Sequence, residues 1–467
     1  MTASRVPASR VGRLFHYGGL AAGMAWGAAS ESVRRRVAAV SGSSGDDTTT
    51  SVVLSQANVE RLVKKLSRMR GAALKLGQMM SFQGTRPPPP PHPRIPVADG
   101  CPDKMLPAPV VEVLARVQDS ADYMPAWQRD AVLAANLGAD WRQLFAEFAE
   151  LPMAAASIGQ VHAATLASNG AAVAVKIQYP GVAASISSDL NNLAVLLTAS
   201  KLLPRGLYLD RTIANARTEL AWECDYVREA ACAKRFSKLL ADDGRGSASA
   251  AVFRVPRIFD EACGPQVLAM EMMRGAPVAK TAHTLSQADC DFIGTHILGL
   301  CFRELAHYHF MQTDPNWTNF LWNPADRRIE LLDFGAARDY PADFVRRYTA
   351  VLRAAARGDL DACRALSVEL GYLTGLESEA MARAHVTSLV TLAEPFSVRA
   401  PAVYDFSGQT VTDRVTALIP LMLRERLVPP PEETYSLHRK LSGAFLLCAR
   451  LRSRVPCRRL FEEAFGV

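Results

Sequence analysis

No Cys-x-x-Cys pair occurs in the 467 residues, and the nine cysteines (101, 224, 232, 263, 290, 301, 363, 448 and 457) are scattered and odd in number. That excludes a disulfide framework and a structural zinc site and fits a reducing compartment. No unbroken apolar run reaches the ~18 residues of an ordinary transmembrane helix, which excludes a polytopic membrane protein. Apolar residues are not scarce: at 49% hydrophobic and 21% charged the composition is globular, so a mainly disordered chain is excluded as well. At roughly 150 residues per domain the length allows two or three domains. Acids are missing from positions 1–16, and residues 1–40 hold six arginines against the single Glu31, so most of the net charge of +7 sits in that arm. A basic arm on a nearly neutral remainder points to an anionic membrane surface or an organelle address, with no nucleic acid as partner.

The Arg- and Ser-rich start suits a mitochondrial transit segment. Gly19, Gly23 and Gly27 would form one small-residue stripe on a helix, a surface for close packing against protein or for a homodimer contact. The apolar stretch Tyr17–Ala29 has thirteen residues, enough to lie in or dip into a bilayer and marginal for spanning one. Residues 41–52 read as a linker. From Gln56 to about Gln83, Leu62, Leu66, Met69, Ala73, Leu76 and Met80 step at helical spacing. Residues 84–101 contain seven prolines and read as an insertion loop. Helical patterning returns over 105–150, with a break at Leu137-Gly138. A hairpin follows over 151–181, turning at Asn169-Gly170, where the left-handed backbone of a tight reversal is available. Residues 183–240 read as helical, 252–275 as two strands joined by a turn, 286–309 as helix and 319–335 as a second hairpin turning at 323–326. After Asp343 the pattern is helical, with breaks around 395–412 and at Pro429–Pro431.

Five pieces, in order, suit the holding of a nucleoside triphosphate with magnesium. Lys176 ends a Val-Ala-Val-Lys strand and can reach the α/β-phosphates. Glu229, on the long helix that follows, is the acid to hold it in place. Asp314 stands five residues before Asn319 in TDPNWTNF, the spacing of a kinase catalytic loop: Asp314 would orient the nucleophile and accept its proton, and Asn319 would hold a magnesium. Asp333, in Asp333-Phe334-Gly335, is the second magnesium ligand, since hard cations take oxygen ligands. Met270-Glu271-Met272-Met273 sits where two lobes would hinge, and its backbone is placed to meet the adenine edge. The alternating Met and Leu around 267–273 are read as lining that nucleotide cleft.

Departures from an ordinary protein kinase are as informative. There is no G-x-G-x-x-G; the turn over the phosphates is Ala154-Ala155-Ala156-Ser157, which should be stiffer than a glycine loop because alanine resists positive φ. Gln312-Thr313 replaces the His-Arg that precedes the catalytic Asp, and Asn316 replaces a lysine that would neutralise the transferring phosphoryl. No A-P-E follows the DFG, so a peptide-substrate platform is not expected. His162, His307 and His309 lack any metal-ligand spacing and are expected to be satisfied core histidines.

The strings KLGQMMSFQ (75–83), AAASIGQVH (154–162), VAVKIQYPGV (173–182), ECDYVREAACAKRF (223–236), FMQTDPNWTNF (310–320) and LLDFGAARDY (331–340) resemble the UbiB-type, aarF-domain-containing atypical kinases, in particular the subgroup tied to mitochondrial coenzyme Q biosynthesis. VGRLFHYGGLAAGMAWG (11–27) resembles that subgroup's glycine-rich segment. The resemblance implies an α+β, two-lobed kinase-like fold with an N-terminal helical extension over the active site. It maps the family's KxGQ motif onto Lys75, Gly77 and Gln78 and its ExD motif onto Glu223 and Asp225, a regulatory set. Two residues apart on a helix means about 200° of rotation, so both acids face one point only where a helix ends; Glu223 is the expected partner of Lys75. The implied division is 1–52 for the arm, 53–150 for the extension with its insertion, 151–275 for the small lobe and 276–467 for the large.

Three functions follow from this reading. The first is an Mg-ATP-binding atypical kinase or ATPase supporting ubiquinone production, with coenzyme Q biosynthetic proteins or lipid precursors as partners, on the matrix side of the mitochondrial inner membrane. The second is a kinase of a small or lipid-like acceptor. The third is a nucleotide-gated scaffold of a biosynthetic complex.

Overall fold

The computed structural model describes residues 123–200, 208–243 and 250–466. The basic arm, the Gly19/Gly23/Gly27 stripe, the Lys75, Gly77 and Gln78 motif and the proline-rich stretch lie outside the described residues.

Along the chain run α1 (Ala126–Leu137), β1 (Phe145–Phe148), β2 (Ala154–Ala155), β3 (Gly159–Leu166), β4 (Ala172–Gln178), α2 (Val182–Ser200), α3 (Leu209–Glu223) and α4 (Tyr226–Asp243). Then come β5 (Phe253–Arg254), β6 (Val267–Glu271), β7 (Ala276–Pro277), α5 (Val278–Thr281), α6 (Gln287–Ala306), β8 (Phe310–Gln312), β9 (Phe320–Asn323), β10 (Arg328–Leu331) and β11 (Ala337–Asp339). The rest is α7 (Ala342–Arg357), α8 (Leu360–Leu370), α9 (Glu379–Ala393), β12 (Tyr404–Asp405), α10 (Val411–Glu425), α11 (Glu432–Leu451), β13 (Arg454–Val455) and α12 (Cys457–Phe465).

The small lobe is an antiparallel sheet ordered β1-β3-β4-β6, with β2 on β3. Its centre is β4, whose Val173, Val175 and Ile177 are wholly buried. The β3–β4 turn forms as its residues dictate: Gly170 takes φ +69, and the Asn169 side chain accepts the Ala171 N–H at 2.9 Å. The helical reading of 105–150 fails after Leu137. Gly138 (φ +95) ends α1, and Phe145–Phe148 is a strand paired with β3. Trp141, Phe145 and Phe148 are spaced like a helical stripe; instead their rings meet edge-on, with centroids 5.2–6.3 Å apart, around a short 3₁₀ turn and the strand.

The expected pairing over 252–275 forms only beside the turn: Ile258 bridges Met270 antiparallel, and the Phe259 and Glu271 N–H groups donate to the Ala269 and Arg257 carbonyls. Strand β5 runs parallel to β10, whereas β6 joins β4. In the second sheet, ordered β5-β10-β9-β7, β5 and β7 therefore occupy opposite edges. Its β9–β10 hairpin is the one read from sequence. The large lobe is otherwise helical, with α6 packed on α11 and α12, apart from the β8–β11 pair and a small β12–β13 pair; β12 lies in the expected break around 395–412, and β13 interrupts a stretch read as helix. The apolar core is continuous through both lobes.

Buried histidines give the large lobe an acid sensitivity. His385 is 5% exposed; its Nε2–H reaches the Ser367 Oγ at 3.1 Å, while that hydroxyl donates to the Cys363 carbonyl. Burial pushes His385 down to about 4. An unfolded histidine titrates near 6.5, so the unfolded chain gains the proton first; this stabilisation is complete above about pH 6.5 and is lost as pH falls towards 4. His385→Gln should therefore lose less stability than wild type between pH 7 and pH 5, by about 2 kcal/mol, measured by urea unfolding at both pH values. Equal losses would mean that His385 is charged in the folded protein.

Candidate functional site

Lys176 lies on the central strand, paired across to Val161 and Leu268. Valines and an isoleucine fill one face of β4, so Lys176 projects from the other. Its Nζ lies 2.8 Å from both Glu229 oxygens and 3.3 Å from the Asp333 Oδ2, with the Tyr226 ring centroid 5.0 Å away. Burial works against the ammonium, but the Asp333 and Glu229 carboxylates outweigh it and hold Lys176 well above its ordinary value. Burial pushes Glu229 up to about 7, and the charge of Lys176 opposes that rise.

The geometric objection to Glu223 and Asp225 sharing a site is met by a helix break. Helix α3 ends at Glu223 and α4 starts at Tyr226; Asp225 stands between them and accepts the Arg228 N–H at 2.9 Å, capping α4. Glu223 is buried against the DFG turn. A Cβ on Gly335 would lie 3.4 Å from both the Glu223 Cα and the Glu229 Oε2, and 3.3 Å from the Asp333 Oδ1. These three acids therefore all lie within contact distance of the turn at Gly335. Lys75, the expected partner of Glu223, lies outside the described residues.

Asp314 and Asn319 are brought together as their spacing suggests. The Asn319 Nδ2 donates to the Asp314 Oδ2 at 3.0 Å, and the Asn316 N–H to its Oδ1 at 3.2 Å. Asn319 and Asp333 line the same small cavity, and the Asp333 Oδ1 accepts the Gly335 N–H at 2.9 Å.

Ala154 and Ala155 form β2, paired with Val161 and Gln160. The Ala156 N–H closes the turn on the Gly159 carbonyl at 2.8 Å, and Ile158 just past Ser157 is anchored in the core. A side chain at Gly159 would overlap the Ile177 carbonyl, so the alanine turn is fixed closely on β4. At the hinge, the Glu271 and Met272 N–H groups already donate to the Arg257 and Ala172 carbonyls. Of Met270, Glu271, Met272 and Met273, the last keeps an N–H that no bond among the described residues engages.

Some of the site was not foreseen. Arg228 donates to the Gly335 carbonyl at 2.8 Å and to the Ala337 carbonyl, gripping the segment after the DFG; its only sequence cue is its place beside Glu229. The Thr313 hydroxyl donates to the Ala336 carbonyl at 2.7 Å. The Arg439 and Glu219 side chains form a buried ion pair at 2.7 Å, and the field of Asp314 reaches Arg439. His162 is a satisfied core histidine, 0% exposed, with Nδ1 on the Ala149 carbonyl and Nε2 on Gln160. His307 and His309 are not. His307 is exposed at the end of α6, and His309 is half-buried with φ +48, because the chain reverses there into β8.

Residues 116–367 match the family described as ABC1 atypical kinase-like domain. The atypical kinase COQ8, mitochondrial, of Schizosaccharomyces pombe is 50% identical over 462 residues, 99% of this chain and 70% of that one. Its namesake in Saccharomyces cerevisiae is 50% identical over 466 residues, covering 100% and 87% of the two chains; the atypical kinase COQ8B, mitochondrial, of Rattus norvegicus is 46% identical over 99% and 81%. Among solved structures, the Rv3197–erythromycin complex from Mycobacterium tuberculosis is similar with a TM-score of 0.57 at 26% identity, over 84% of this chain and 92% of that one. With a strand lysine, helix acid, Asp-x4-Asn loop and DFG gathered at one junction of two lobes, the chain belongs to the ABC1 atypical kinase-like family and carries its ATP-dependent kinase-like domain.

Proposed function

We propose that this protein is a mitochondrial atypical kinase or ATPase that binds Mg-ATP and supports coenzyme Q biosynthesis at the matrix face of the inner membrane. The observation that carries the reading is Lys176, held between Glu229 and Asp333 at hydrogen-bonding distances. Lys176 would meet the α/β-phosphates, with Glu229 fixing its direction. Asn319 and Asp333 would hold magnesium, which when bound would neutralise charge on the phosphates. The donor set fits that ion. Asn319 and Asp333 border one cavity and offer an amide oxygen and a carboxylate, and magnesium is commonly held by one or two protein oxygens, the rest coming from phosphates and water.

Asp314, steadied by Asn319, would orient water or an acceptor hydroxyl and take its proton. Hydrolysis suits the site better than peptide phosphorylation: Asn316 brings no charge to the transferring phosphoryl, and the A-P-E platform is lacking. The small lobe of this reading reaches back from 151–275 to include β1, and the large lobe spans 276–467. No helix among the described residues is long and apolar enough to cross a membrane; the membrane contact is assigned to the arm and residues 17–29. The test is nucleotide binding and phosphate release by the full chain, with and without magnesium, beside anionic and neutral vesicles. Metal-dependent binding and capture by anionic vesicles are expected. A chain that binds no nucleotide with magnesium present would end the reading.

A further inference from the structure

Gln312, at the position where protein kinases have the histidine of His-Arg-Asp, is held from three sides. Its Nε2 donates to the Asp333 carbonyl at 2.9 Å, its Oε1 accepts from the Lys440 Nζ at 2.6 Å, and its backbone N–H donates to the Glu304 Oε1 at 3.0 Å. Gln312, Lys440 and Glu304 are 5%, 3% and 0% exposed. The second Glu304 oxygen lies 3.8 Å from the Lys440 Nζ. All three side chains border the small cavity shared by Asn319 and Asp333.

The chemistry of the contact is directional. A glutamine amide has two orientations that exchange a donor for an acceptor, and an ammonium only donates. Lys440 therefore fixes Oε1 on its own side and turns Nε2 onto the backbone of Asp333. The flipped amide would set donor against donor at Lys440 and acceptor against acceptor at Asp333. The same helix also seats the catalytic loop: the Trp317 indole donates to the Gly443 carbonyl at 3.1 Å, and a Cβ at Gly443 would overlap Pro315. Helix α11 lies beyond the family-matched residues 116–367.

We propose that Lys440 is a positioning residue for the metal site, acting through the Gln312 amide on Asp333. Helix α11 thereby belongs to the nucleotide-binding machinery. The inference rests on the Mg-ATP reading above, with Asp333 as a metal ligand.

The experiment titrates magnesium at fixed ATP and follows nucleotide binding by the full chain. For Lys440→Met, the magnesium concentration at half-saturation should rise about tenfold, the usual scale for a group that orients a metal ligand. Gln312→Leu should shift the curve by the same factor, and the double variant should shift it no further, since both remove one connection. A curve for Lys440→Met that superimposes on wild type overturns the proposal, as do single shifts that multiply in the double variant; either assigns Lys440 to packing alone. Should Lys440→Met fail to fold, Gln312→Leu decides by itself: an unshifted curve rejects the link. A wild type without magnesium-dependent nucleotide binding would instead defeat the functional reading, a separate result.

Discussion

Asp333→Asn is expected to weaken magnesium-nucleotide binding by at least ~100-fold while leaving metal-free nucleotide binding within a few-fold of wild type. The bound on the effect comes from groups one step removed from a metal, whose loss already costs 10–100-fold; a direct ligand should cost more. The substitution is nearly isosteric. An asparagine oxygen still accepts the Gly335 N–H that Asp333 accepts now at 2.9 Å, so the turn is retained. Lys176 keeps Glu229 at 2.8 Å on both oxygens, so the lysine stays paired. What disappears is one negative charge on a one-third-exposed side chain, together with the acceptor that Lys176 meets at 3.3 Å, and a hard divalent cation responds to that charge. Calorimetric titration with Mg-ATP, and with ATP in chelator, separates the two terms. Equal affinity of variant and wild type for Mg-ATP would remove Asp333 from the metal site.

Glu229→Gln should cost both stability and affinity. Lys176 and Glu229 are nearly sealed from solvent, at 9% and 1% side-chain exposure. Removing one charge of such a pair leaves the other buried with less compensation, which costs about 3 kcal/mol. The amide oxygen still accepts one hydrogen bond, but among the described residues Asp333, at 3.3 Å, becomes the carboxylate that the ammonium meets. That draws Asp333 away from its metal role, so Mg-ATP affinity should fall by more than about tenfold, the lower end of the scale for disturbed ligand orientation. Urea unfolding and the same titration are the measurements. A variant as stable as wild type, with unchanged affinity, would mean that Lys176 is positioned by something other than Glu229.

The parts of this site that were legible in the sequence are local ones. Asp314 and Asn319 share one loop, and Asp333 and Gly335 share one turn, so their spacing alone dictates which side chains meet. The Asn169-Gly170 reversal put Lys176 on a strand for the same reason. Pairing that lysine with Glu229, across 53 positions, needed the further rule that a strand lysine is steadied from a neighbouring helix. The remainder depends on distant chain. Nothing near Gln312 announces Lys440, 128 positions away, and a lysine on a helix reads as solvated until its surroundings are known. Trp141, Phe145 and Phe148 mislead because an aromatic cluster around a turn can have the spacing of a helical face. His307 and His309 sit in an apolar context along the chain, yet the reversal into β8 leaves His307 exposed and His309 half-buried. Within 252–275, the pairing of Arg257–Phe259 with β6 is local and was legible, whereas the partner of β5, β10, comes far later in the chain.

Strands β5 and β7 have a mechanical consequence. Both flank β6 in sequence, yet they are sewn into opposite margins of the lower sheet, on β10 and β9. With strands ~4.8 Å apart, the two stitches are separated by about 14 Å. Near the second of them, Glu330 also clasps the Gly275 N–H at 2.8 Å. A body fastened at two separated points behaves like a door on a pair of pins: it swings about the line between them and resists swivelling across it. A nod about that line would carry Lys176 and Glu229 together and change only their approach to Asp333.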